Sequence, residues 1–177
     1  ARLERETGPI DDRIREAITI ANNEIHRRAS LRPEWKGMGC VLTVAVVDNG
    51  GVTVGHDGDT RLYKLRRGEI VKVTPDHSPV GEREDAHQLS EAQAMRHPRR
   101  NEVYRDVGAE PHEPTDPEFI DILKVPFEPD SALLLCSDGL TDLVWDDEIL
   151  HILRSKKDLK STADKLVSLA NEHNKHN

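Results

Sequence analysis

The chain has 177 residues, enough for one hydrophobic core and few for two. Its 33 acidic and 25 basic residues leave a formal net charge of −8, which argues against the broad basic face of a general nucleic-acid binder. No apolar run approaches the ~20 residues needed to cross a bilayer, and Ala1–Glu6 lacks the apolar core of a secretory signal. A cytoplasmic protein without membrane or nucleic-acid partners is expected.

Pro9 opens the first regular segment, followed by Asp11 and Asp12 in the turn where helices tolerate proline and acids. Ile10, Ile14, Ala17, Ile18, Ala21 and Ile25 recur at steps of three and four, which predicts one amphipathic helix running to about Ala29. Cys40–Val47 is rich in β-branched residues and reads as a buried strand. Asp48-Asn49-Gly50-Gly51 is a hairpin turn, and Val52–Val54 returns antiparallel. Gly55–Asp59 is expected to be an irregular corner. Arg61–Leu65 and Glu69–Val73 are strands around an Arg66-Arg67-Gly68 turn. Four strands in an antiparallel meander behind a helix give an α+β pattern.

From Thr74 to about Pro117 the apolar periodicity fades. Ser90 caps a short helix through Met95 that Pro98 ends, and a second short helix is expected over Asn101–Val107. So long a stretch without a core pattern reads as a lid or a substrate-facing flap, residues 76–116. Phe119–Val125 alternates as a strand. Leu133–Cys136 is a short continuous apolar run, expected as a fully buried strand, and it delivers Ser137, Asp138 and Gly139 at its tip. A carboxylate there suits a hard cation, while an ordinary helix cap is the plainer alternative. Helices follow from Asp146 or Asp147 and from Ser161 or Thr162, the latter burying Ala163, Leu166, Val167, Leu169 and Ala170.

Five stretches in order carry a resemblance: Gly37-Met38-Gly39-Cys40-Val41-Leu42, Gly55–Tyr63, Thr74-Pro75-Asp76-His77-Ser78, His97-Pro98-Arg99-Arg100-Asn101 and Leu134–Asp142. Together they resemble the metal-dependent protein phosphatases of the type 2C (PPM) family. In that family the second stretch reads Val-Gly-Asp-Ser-Arg and the last Leu-x-Ser-Asp-Gly-Leu. The resemblance implies an α+β fold of two packed antiparallel β-sheets flanked by helices, one phosphatase-like domain over 1–177, and hydrolysis of phosphoserine or phosphothreonine. It implies two Mn²⁺ or Mg²⁺ ions that activate a bridging water. Asp138 takes the position of a metal ligand, and Asp76 that of an acid in a third, weaker metal site.

Segments that carry the family's first metal Asp, its phosphate-binding Arg and its Asp-Gly-Met-Gly-Gly-His run have no counterpart here. The chain is therefore expected to be an incomplete catalytic domain, short of a strand at each terminus. His176 falls at the register of the last acidic ligand, with a divergent end as the other reading. The expected partners are a phosphorylated protein or peptide, received by Arg99 and Arg100 within the basic run 96–100, and a Ser/Thr kinase. The alternative to an enzyme is a silent pseudophosphatase that binds phosphoproteins or regulates a kinase.

The remaining residues carry plainer readings. His56-Asp57-Gly58-Asp59 is either a metal-binding cluster or a tight turn whose Asp59 bonds backbone amides and Arg61. His173 and His176 are either a helical chelate or solvated. Cys40 and Cys136 are expected in the core rather than in a disulfide.

Overall fold

The structure is a computed structural model that describes residues 8–155 and 158–175. The predicted first helix is α1 (Ile10–Ser30), with acidic Asp11 and Asp12 at its start and Arg27 and Arg28 at its end, matching the helix dipole. Its stripe packs on a three-stranded antiparallel sheet of order β1-β2-β5: β1 (Leu42–Asp48), β2 (Gly51–Asp57) and β5 (Asp121–Pro126). Ile14 and Ile18 are buried there with Val107, Phe119 and Ile120. Burying each isoleucine contributes about 1.5–3 kcal/mol.

A second antiparallel sheet has the order β4-β3-β6: β3 (Arg61–Arg66), β4 (Glu69–Lys72) and β6 (Ser131–Cys136). Its outer face carries α5 (Asp146–Leu153) and α6 (Leu159–Asn174), which bury Ile149, Ile152, Leu166 and Ala170 with Val144. Between the sheets lie Val52, Val54 and Leu62, against Ala45, Leu123 and Leu133. The order of layers is helix, sheet, sheet, helices.

The expected four-strand meander is in fact split between the two sheets. β2 runs further than expected, through His56 and Asp57, and the chain then changes sheet at Gly58. Gly58 has φ +105°, and a Cβ there would lie 2.3 Å from Val41 Cγ1. Only glycine fits such a corner without strain. His77 fastens it, accepting the Gly58 N–H at Nδ1 (3.0 Å) and donating its own N–H to the Gly58 carbonyl (2.8 Å).

Other expectations need correction. The apolar run at β6 is half-buried, with Leu135 47% exposed, because among the described residues β6 pairs only with β3. Cys40 lies in an isolated bridge to Val107 and is exposed, while Cys136 is partly buried; both are free thiols. Asn101–Val107 forms no helix, its neighbours held instead by the Cys40–Val107 bridge and by Asp106 accepting the Ala109 N–H. An unexpected helix, α2 (Pro79–Asp85), starts on the Ser78 hydroxyl, while α3 (Glu91–Met95) carries the expected Ser90 cap, closed by Gln93. α6 starts two to three residues earlier than expected because Asp158 caps it. No helix among the described residues is long and apolar enough to cross a membrane.

Candidate active site

Strand β3, the start of α2, helix α3 and the short helix α4 (Asp138–Thr141) converge on one acidic cleft. Asp59, Arg61, Asp76, Glu84, Asp138 and Asp142 line it. Asp76 and Asp138, predicted from separate motifs, therefore share a cleft.

Arg61 forms the floor. Its Nε lies 3.1 Å from each oxygen of Asp76, and Nη2 lies 2.6 Å from Asp76 Oδ2 and 2.8 Å from Glu84 Oε2. Lys72 Nζ adds a contact 3.0 Å from Asp76 Oδ1. Burial works to raise the Asp76 pKa, but the Arg61 hydrogen bonds and charge, with Lys72, hold it below the usual carboxylate range. Arg61, expected to bond Asp59, is committed instead to Asp76 and Glu84. Gly81 lets α2 lie against this pair: a Cβ there would fall 2.2 Å from Asp76 Cβ.

The polar chain continues sideways. Arg61 Nη1 donates to the Tyr63 hydroxyl (3.3 Å), which donates to Asp146 (3.0 Å), and the Asp146 N–H donates to Glu91 (2.7 Å). Sequence reasoning missed this network because the contacts that close it are long-range, Arg61 to Asp76 across 15 residues and Tyr63 to Asp146 across 83. The signal available was Arg61 and Tyr63 two apart, on one face of the strand.

Three further carboxylates line the cleft, Asp59, Asp138 and Asp142. Asp59 has its pKa raised by burial and then by the neighbouring Asp138 and Asp76 charges. Asp142 is raised by burial and by Asp138, against a 3.1 Å hydrogen bond from Arg100 Nε. Among the described residues neither Asp59 nor Asp138 has a salt bridge. Like charges gathered without a cation raise one another's pKa. Oxygen donors of this kind suit Mg²⁺ or Mn²⁺. No group of three or more His, Cys, Asp or Glu among the described residues is arranged to hold a metal ion. The cleft thus fits a hard cation as one wall of a site, supplying part of a shell.

The other predicted residues separate. Arg100 reaches the cleft through Asp142, whereas Arg99 pairs with Glu102 on the surface (Nη2–Oε2 2.7 Å). His56 is fully buried and not a ligand: its Nε2–H donates to the Pro75 carbonyl (2.7 Å) and its Nδ1 faces the Thr43 hydroxyl (2.9 Å). Burial and the adjacent His77 depress its pKa. His173 Nδ1 bonds the Leu143 carbonyl (2.6 Å), and His176 lies outside the described residues. The Cys136 thiol is pushed up to about 12 by burial, so it is no nucleophile at neutral pH.

Two antiparallel sheets thus lie between helical layers, with an acidic cleft lined from β3, α2, α3 and α4. No protein-family profile matches the chain. Individual relatives do: it is 35% identical over 164 residues to a serine/threonine phosphatase of Listeria monocytogenes, covering 93% of this chain and 63% of that protein. The S. agalactiae serine/threonine phosphatase superposes with a TM-score of 0.82 at 29% identity, covering 96% of this chain and 69% of that one. The catalytic domain of the phosphatase PstP, in complex with two manganese ions, superposes with a TM-score of 0.80 at 26% identity, covering 94% and 67%. The chain belongs to the type 2C (PPM) family of serine/threonine phosphatases. It spans about 63% of the length of the first curated relatives it matches.

Proposed function

We propose that the protein hydrolyses phosphoserine and phosphothreonine in proteins with Mn²⁺ or Mg²⁺, and that this chain supplies one wall of the active cleft. The supporting observation is the meeting of Asp59, Asp138 and Asp142 in one cleft, where Arg100 pairs with Asp142 alone and leaves Asp59 and Asp138 without a salt bridge among the described residues. The cation contributes Lewis acidity and positive charge toward the phosphoryl oxygens.

The chain's own residues hold and orient. Asp138, at the N-terminus of α4 and exposed, presents its carboxylate to the ion. Asp76, held by Arg61 and Lys72 in the same cleft, takes the place of a secondary ligand, for which one of its oxygens must give up a contact to Arg61 or Lys72. Arg100 and Arg99 receive the anionic substrate, Arg100 by exchanging Asp142 for phosphate. The stretch 76–116 acts as the flap of a single domain over 1–177, working on cytoplasmic phosphoproteins opposite a Ser/Thr kinase.

Hydrolysis of a phosphothreonine peptide by the protein, followed by phosphate release, tests this reading. Activity restored by Mn²⁺ after EDTA treatment is expected. Turnover that persists in EDTA contradicts it.

A further inference from the structure

Asp57 is a buried carboxyl group that the phosphatase chemistry does not use. It ends β2 fully buried, and neither carboxylate oxygen has a hydrogen-bond partner among the described residues. His77 Nδ1 stands 3.5 Å from Oδ1, but that nitrogen already accepts the Gly58 N–H and has no proton to offer. Aligned on the motif read above, Asp57 occupies the position of a valine, whose apolar side chain would be at ease there. Burying a carboxylate without a partner costs several kcal/mol, and such groups are kept where something binds them.

Asp57 forms part of the wall of a cleft of about 600 Å³, outside the carboxylate site described above. Its rim carries Tyr104, Asp106, Glu110 and Glu118. The Glu110 and Glu118 side chains are exposed and have no ion pair among the described residues, while Asp106 accepts the Ala109 N–H. The two basic residues of the rim are spent: Arg105 Nη1 pairs with Asp121 (2.9 Å) and His112 with Asp116 (2.8 Å). The Tyr104 side chain is 49% exposed, held by its hydroxyl's bond to Glu82.

The excess of carboxylates calls for a cation, and no three of these donors form a metal shell. An aromatic wall beside acids favours a planar, weakly hydrated cation on a stem, which stacks on the ring and bonds a carboxylate with two N–H groups. We propose that this cleft binds an arginine side chain of a partner polypeptide, with the guanidinium seated toward Asp57 and flanked by Tyr104 and Glu118.

The probe is a capped Gly-Arg-Gly tripeptide titrated into the isotopically labelled protein at low salt. Expected is saturable binding with a Kd on the order of millimolar, with the amide resonances of Asp57, Tyr104 and Glu118 moving. Replacing arginine by neutral citrulline, or Asp57→Asn, should weaken it at least about tenfold, the loss of the attraction between guanidinium and buried carboxylate. Should Asp57→Asn fold poorly, Glu110→Gln with Glu118→Gln is the substitute, and several-fold weaker binding is expected. Equal affinity for the citrulline peptide, equal affinity for a lysine peptide, or a full titration that leaves those resonances unmoved would each overturn the assignment.

Discussion

Arg61 grips Asp76 with two nitrogens, at 2.6 Å from Nη2 and 3.1 Å from Nε, in a pair whose side chains are only 12% and 5% exposed. Each is the other's means of being buried, because removing either leaves a charge out of water without a match. Arg61→Ala should destabilise the fold by about 3–5 kcal/mol, read from urea midpoints. Arg61→Met combined with Asp76→Leu should recover most of that loss. A single substitution costing no more than an exposed salt bridge would refute the role given to the pair.

The same pair fixes a direction of pH dependence. The folded-state pKa of Asp76 lies below its unfolded value. Its contribution is therefore present above the unfolded carboxylate pKa of about 4 and is lost as pH falls through the lower, folded value. Between pH 5 and pH 2.5 the wild type should lose more stability than Arg61→Met/Asp76→Leu, by chemical denaturation. A parallel decline would contradict the coupling.

Asp59 and Asp142 shift the other way, so at neutral pH their charges oppose folding when no cation is present. Asp59→Asn should raise the melting temperature in EDTA. Adding Mn²⁺ should raise that of the wild type and do less for Asp138→Asn, since a ligand bound to the native state stabilises it. Equal Mn²⁺ shifts in the two proteins would count against Asp138 as a ligand.

Asp57→Val should stabilise the chain by about 1–3 kcal/mol, the desolvation penalty of an unpaired buried polar group. Thermal or urea denaturation measures it. A loss of stability would show that the carboxylate has a partner in the native state.

How much of this was legible beforehand depended on the range of the interactions. The stripe of α1 and the tight turn at Asn49-Gly50 are local, and both formed as read. The change of sheet at Gly58 was not, since strand periodicity looks the same on either side of the corner. Helix α2 escaped because its seven residues are too few for a stripe, although Ser78 followed by Pro79 is a fair helix start. In the cleft, Asp76 and Asp138 were found through short motifs. The link from Asp142 to Arg100 has no local signature, the two lying 42 residues apart. The unpaired state of Asp57 could not be read at all, being the lack of a neighbour rather than the presence of one.

Cys136→Ser should leave phosphatase turnover unchanged within about twofold, because a thiol raised to about 12 stays protonated and donates only weakly to the Arg61 carbonyl (3.8 Å). Loss of turnover with the fold intact would point to thiolate chemistry instead.

Hydrolysis of an aryl phosphate in saturating Mn²⁺ by Asp138→Ala, beside the wild type and with folding checked by circular dichroism, tests the central claim most directly. Asp138 is exposed and its side chain makes no hydrogen bond or ion pair among the described residues, so the variant should fold normally and lose at least about a hundredfold in rate, roughly the 2.7 kcal/mol or more expected for a lost ligand. Wild-type turnover in a folded Asp138→Ala protein would contradict the assignment of the cleft.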